Sequence, residues 1–238
     1  FCAAPVTVCK ENLSEKGGIR ALVVNTGNAN AGTGKTGYDD CQKVCAALAS
    51  ELSLKPSEIL PFSTGVIMEP LPVSKITDAL PQAVADLKED NWGDAAEAIM
   101  TTDTIAKAAS ITQTVNGKTF TVTGIAKGSG MIHPNMATML SFVTTDAKIS
   151  RTALEQMIKT AVNKSFNCIT VDGDTSTNDS LIFAATGASG ADVSDPMVFK
   201  AVQQALSSVC LTLAQKIIRD GEGASKFITI KVEGGKSE

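Results

Sequence analysis

Apolar positions recur at two spacings along the chain, and the spacing separates helical from extended stretches. Over residues 38–52, Cys41, Val44, Cys45, Leu48 and Leu52 fall on one face of a helix, with Asp39 or Asp40 placed to cap it. Residues 74–87 repeat the pattern but are predicted to break or restart at Pro81, which lacks an N–H and crowds the preceding turn. Residues 94–100 form a short Ala-rich helix. Ser150 starts another helix running to about Lys164, with Leu154, Met157, Ile158 and Val162 on one side. The longest helix follows Asp195-Pro196, with Phe199, Val202, Leu206, Val209, Leu213 and Ile217 in register and Gly221 as the candidate C-cap.

Alternating or continuous apolar runs predict strands at 19–25, 139–145, 167–171, 181–186 and 226–232. Residues 108–125 hold two alternating runs around Asn116-Gly117, a hairpin signal because a two-residue type I′ turn needs positive φ at both positions. Strands and helices mix without regular alternation, which predicts an α+β fold: helices layered on a largely antiparallel sheet. No repeat, low-complexity run or linker-like change of composition divides the 238 residues, enough for one large core or two small domains.

Composition narrows the chemistry. With 21 basic and 25 acidic residues the chain offers no basic footprint for nucleic acid or an anionic membrane. Aromatic residues make up 4%, too few for base-stacking platforms, so the core is aliphatic. The one histidine, His133, rules out zinc sites built on two or three imidazoles. Six cysteines show no C-x-x-C spacing, and no signal peptide or long apolar run is visible, so a reduced, cytoplasmic protein is expected.

Five segments could carry chemistry. Residues 32–37 contain G-x-G-x-x-G and Gly34-Lys35-Thr36, but a phosphate loop needs glycine where Ala29 stands, and a dinucleotide loop would follow its strand directly. A Gly-rich turn is the better reading. Residues 172–179 (DGDTSTND) concentrate carboxylates and hydroxyls, yet Thr177 and Phe183 replace the glycine and glutamate of a calcium loop. They read first as a turn satisfying its own backbone, with a place lining an active site left open. Ser63-Thr64-Gly65 is either a turn or an oxyanion hole, a hydroxyl beside a closely approachable backbone N–H. Glu222, between Gly221 and Gly223, either binds an ammonium group or faces water. Residues 127–138 form a Gly-rich loop entering a strand, or else present Thr138 as a nucleophile. A threonine hydroxyl needs a base, and the residue's own α-amine becomes one once the preceding peptide bond is cut.

Taken together, NTGNANAGTG (25–34), STGVIMEPLP (63–72), MTTDT (100–104), KGSGMIHPNMATML (127–140), TTDA (144–147), DGDTSTND (172–179) and DGEGASKFITIKV (220–232) resemble the ornithine acetyltransferases of arginine biosynthesis. The resemblance spans nearly the whole chain, in order. It implies an α/β sandwich that cuts itself at Ala137-Thr138 into an α piece (1–137) and a β piece (138–238), two of each in the assembly. Thr138 would then carry acetyl from N-acetylornithine to glutamate in a ping-pong cycle, releasing ornithine and N-acetylglutamate. The resemblance places the oxyanion hole at Thr64 and Gly65 and substrate contacts at Thr101, Lys127, Thr138 and Glu222. A zwitterionic substrate needs a cation such as Lys127 for its carboxylate and an anion such as Glu222 for its amine. No metal or organic cofactor is implied, and acetyl-CoA stays open as a second acetyl donor. Family members run beyond both ends of this sequence, so a central piece, with the β piece cut short, is expected. A self-processed amidase or aminopeptidase is the alternative with the same nucleophile; nucleotide binding at 32–37 is weaker.

Overall fold

The structure is a computed structural model and describes residues 2–133 and 139–234. Its elements in order are α1 (Ala4–Ser14), β1 (Ala21–Asn28), α2 (Gly34–Leu52), β2 (Ile59–Val66), α3 (Val73–Ala85), α4 (Trp92–Ala98), β3 (Lys107–Val115), β4 (Lys118–Lys127), β5 (Leu140–Thr145), α5 (Arg151–Asn163), β6 (Ser180–Ala185) and α6 (Pro196–Arg219).

Side-chain alternation along β4 and β5 builds the layers. Phe120, Val122 and Ala126 of β4 and Val143 of β5 face α6, whose Val202, Leu206, Val209, Leu213 and Ile217 are wholly buried. The opposite-parity residues Ile125, Leu140 and Phe142 face β2, where Phe62 meets Phe142 edge-on with ring centroids 5.0 Å apart. Behind β1 and β2, Val23 and Ile59 pack on Val44, Cys45 and Leu48 of α2 and on Leu80 of α3. The sequence thus runs as four layers: α5 and α6, a sheet ordered β3-β4-β5-β6, the β1-β2 pair, then α2 and α3. Gly124 permits this close packing: a Cβ would sit 3.0 Å from Leu213 of α6, and its neighbours would have to give way. By length and apolar content α6 could cross a membrane, but its apolar face fills this core.

The α+β class and the layered sandwich stand. Two of the three ladders in the larger sheet are antiparallel, whereas β5-β6 and the separate β1-β2 pair are parallel. The hairpin turns at Asn116-Gly117 with φ of 51° and 74°. Ser150 and Asp195 cap α5 and α6 through Ala153 N and Met197 N. Other expectations are corrected. α2 starts at Gly34, so most of the 32–37 segment is helix, and Asp39 and Asp40 lie inside α2, paired with Lys35 and Lys43. The extra turn is held by Asn30, whose Nδ2 donates to Gly37 O at 2.8 Å. α3 runs through Pro81, which is exposed, while Ile76, Leu80 and Val84 anchor both halves to the core. α6 ends at Arg219 with Asp220 as its C-cap, one place before Gly221. Residues 167–171 are a 3-10 turn (Phe166–Cys168) and irregular chain rather than a strand. Residues 226–232 alternate as predicted but pair with no strand among the described residues, leaving Ile228, Ile230 and Val232 exposed.

Candidate active site

β4 ends on Lys127, whose parity points its side chain toward β2. There the buried ammonium donates to Thr64 Oγ1 at 3.0 Å and to Thr101 Oγ1 at 2.8 Å. Burial pushes the Lys127 pKa down, against the opposing pull of Asp103, Asp179 and Glu222. Thr64 accepts a bond from a cation, so its own hydroxyl proton remains free to be donated. Gly65 follows at φ 132°, where a Cβ would lie 2.3 Å from the Gly27 carbonyl carbon. The two parallel strands approach so closely at this point that only glycine fits.

A buried ion triad holds the surrounding loops. Lys107, at the start of β3, has no exposed surface, and its Nζ donates at 2.6 Å to both Asp103 Oδ1 and Asp220 Oδ2. Asp103 also accepts from Gly128 N at 2.7 Å and Thr101 N at 3.2 Å. Asp220 accepts from the amide and hydroxyl of Thr104. Burial alone would raise Asp103, but the Gly128 amide and Lys107 outweigh it and hold the carboxyl below its ordinary value. One lysine thereby ties Thr101, the loop after Lys127 and the end of α6 into a single frame. Two residues past Asp220, Glu222 N donates to Ser129 O at 2.7 Å and its carboxylate lies against Gly130. Thr102 and Ser129 share a hydroxyl bond of 2.8 Å.

Thr64, Gly65, Thr101, Lys127 and Glu222 are therefore assembled around the loop that follows β4, with a cation at its start and an anion packed against it. Ala137 and Thr138 lie outside the described residues. Their described neighbour Met139 is buried, and Leu140, next along, pairs with Lys127 across β4 and β5. The polar stretch 172–179 bonds partly to itself, as Asp172 Oδ1 accepts from Asp174 N and Ser176 Oγ from Asn178 N. It also reaches the site: Asn178 Nδ2 donates to Ala29 O at 2.6 Å and Ser63 O at 2.9 Å. Asp179 lies in the 172–179 stretch that the sequence analysis marked, whereas Asp103, Lys107 and Asp220 escaped sequence reasoning. Asp103 and Lys107 stand four apart, a visible signal, but Asp220 is 113 residues from Lys107. No group of three or more metal-binding side chains occurs among the described residues.

Asp179 carries its own pH signature. Burial pushes its pKa up to about 8, against the Met139 amide and Lys127, and its Oδ2 is buried with no hydrogen-bond partner among the described residues. Its folded value exceeds the unfolded value of about 3.9, so the folded state holds an extra proton between the two. Stability is then greatest below the lower value and declines as pH rises from about 4 to about 8, by up to about 1.4 kcal/mol per unit. Asp179→Asn keeps an acceptor for Met139 and removes the titration. Thermal melts between pH 5 and 8 should show a flatter decline in the variant; parallel curves would refute the assignment.

The ArgJ family model matches residues 1–238. Among solved structures, the arginine biosynthesis bifunctional protein argJ of Bacillus halodurans is 44% identical, with a TM-score of 0.52, over 57% of this chain and 71% of that one. The ornithine acetyltransferase of Mycobacterium tuberculosis, solved with ornithine, is 32% identical with a TM-score of 0.48, over 56% and 70%.

Proposed function

The chain belongs to the ArgJ family, and from that premise we propose that it is an acetyltransferase of arginine biosynthesis, passing acetyl from N-acetylornithine to glutamate through Thr138. The observation that carries this reading is the Lys127 ammonium, buried between the Thr64 and Thr101 hydroxyls, with Glu222 bonded to the loop that follows it and Leu140 across the ladder. Such a site offers a cation for the substrate carboxylate and an anion for its amine. It also offers a hydroxyl and a glycine amide for the oxyanion.

In the proposed maturation, Thr138 Oγ attacks the Ala137 carbonyl carbon, the C–N bond breaks, and the hydroxyl proton passes to the Thr138 nitrogen. Water then splits the resulting ester into an Ala137 carboxylate and a free Thr138. In turnover, the Thr138 amine takes the hydroxyl proton while Oγ attacks the acetyl carbonyl, Thr64 and Gly65 stabilising the oxyanion. The proton goes to the departing ornithine nitrogen. Glutamate's amine next attacks the acetyl-Thr138 ester, giving N-acetylglutamate and restoring the hydroxyl. No metal or organic cofactor enters, and acetyl-CoA could serve as a second donor through the same ester.

A cut at 137-138 would leave β4 in one piece and β5 in the other, joined by the ladder from Val122↔Thr145 to Lys127↔Leu140, so the pieces would stay together. Two copies of each piece and a cytoplasmic location belong to the same proposal.

The test is deacetylation of N-acetylornithine by the full-length protein with and without glutamate, beside its intact mass. Glutamate-dependent release of ornithine and two chains are expected. Deacetylation indifferent to glutamate would mean a self-processed amidase, and a single wild-type chain would end the self-cleavage reading.

A further inference from the structure

The polar loop 170–180 grips the described chain on both sides of residues 134–138. Upstream, Asp172 accepts from the amides of Met131 and, at 2.9 Å, Ile132. Met131 stands at φ 57°, a left-handed conformation that a side chain adopts only at a cost. The Ile132 carbonyl is held as well, accepting from Thr170 Oγ1 at 2.8 Å and Val171 N at 2.9 Å. Downstream, Asp179 Oδ1 accepts from Met139 N at 2.8 Å, and Ser180 N donates to Met139 O at 3.1 Å. Between the two carboxylates, Asn178 ties the same loop to the Ser63 carbonyl, next to Thr64.

Resting on the self-cleavage reading above, we propose that Asp172 and Asp179 are positioning residues that clamp the two flanks of the Ala137-Thr138 bond and present it for attack. Fixed ends restrict the conformations open to the short stretch between Ile132 and Met139. Intramolecular attack gains most when few conformers other than the reactive one remain. Asp172 suits its task because the three amides it accepts from hold its carboxyl ionised, against the pull of burial. The two carboxylates part company after the cut. Met139 is covalently bonded to Thr138, so Asp179 still orients the nucleophile during turnover. Asp172 then holds only the other piece.

The experiment follows the appearance of two chains by intact mass after synthesis of the full-length protein, and kcat per cut molecule afterwards. Asp172→Ala and Asp179→Ala should each slow cleavage at least about tenfold. Asp179→Ala should lower kcat by a similar factor, whereas the fall in kcat for Asp172→Ala should be much smaller. Asp179→Asn, which keeps an acceptor for the Met139 amide, should recover most of the cleavage rate. Alanine variants that cut as fast as wild type would overturn the clamp, as would an asparagine variant as slow as alanine. A wild-type protein that stays one chain overturns the self-cleavage reading itself and the clamp with it. Should the alanine variants fail to fold, hydrogen exchange on the wild type reads the same contacts: protected Met131, Ile132 and Met139 amides support the clamp, and freely exchanging ones overturn it.

Discussion

Lys107→Met is expected to destabilise the protein by about 3–5 kcal/mol. Methionine nearly matches the length of lysine and leaves little cavity, so the loss comes from charge. Asp103 and Asp220 each give up a 2.6 Å bond to the ammonium and face one another across a fully buried site. Both carboxyls are held below their ordinary value: burial opposes this, but Lys107 and the bound amides of Gly128 and Thr104 prevail. A depressed folded pKa stabilises above the unfolded value, near 3.9, and that stabilisation is lost as pH falls through the folded one. The gap between variant and wild type should therefore be full at neutral pH and narrow in acid. Urea unfolding at pH 7 and at about pH 2–3, below the ordinary carboxylate value, reads both. A loss under about 1 kcal/mol at pH 7 would mean that the triad is better solvated than its burial indicates. Because Asp103 holds Thr101 and Gly128, and Asp220 leads into Glu222, the surviving folded fraction should also bind substrate more weakly.

Thr64→Val is the second large effect, this time on rate rather than stability. Valine keeps the shape and the β-branching that β2 accepts. It removes the hydroxyl that accepts from Lys127 and that, in the proposed mechanism, donates its proton to the oxyanion. Losing one such donor lowers kcat by about 10²–10³. KM should change much less, because the donor acts on charge that develops in the transition state. Lys127 keeps its 2.8 Å bond to Thr101, so the fold should tolerate the change. Thr64→Ser restores the hydroxyl and should restore most of kcat. Steady-state rates with N-acetylornithine and glutamate decide it. A valine variant within threefold of wild-type kcat would leave the oxyanion role without support.

Much of the fold was legible because its signals are local. Asn116-Gly117 turns the hairpin by its own backbone preference, Ser150 and Asp195-Pro196 start their helices, and the period of α6 marks its buried face. Less local elements were not. α1 buries Pro5, Val8, Cys9 and the polar Asn12, whose Nδ2 donates to Ile59 O, so its inner face reads poorly as apolar. β2 holds Pro61 and Gly65 and reads as a turn, yet it stands as a strand because, among the described residues, only β1 pairs with it. Residues 226–232 show the reverse, an alternating pattern without a partner among the described residues, since alternation states which residues share a face and not what will cover them.

The sequence alone carried the residue types of the site: the hydroxyl and glycine of 64–65, Thr101, Lys127, Thr138 and Glu222, each in a motif that resembles one family. Thr138 lies outside the described residues; the convergence of the others was decided by tertiary structure. Side-chain parity in β4 turns Lys127 toward β2, and a lysine buried between two distant aspartates fixes the loops around it. A polar loop that looked self-contained instead holds the amides of Met131, Ile132 and Met139. A carboxylate shows its charge in the sequence but not its partner, because the partner is chosen by which backbone amides the packed layers leave without one.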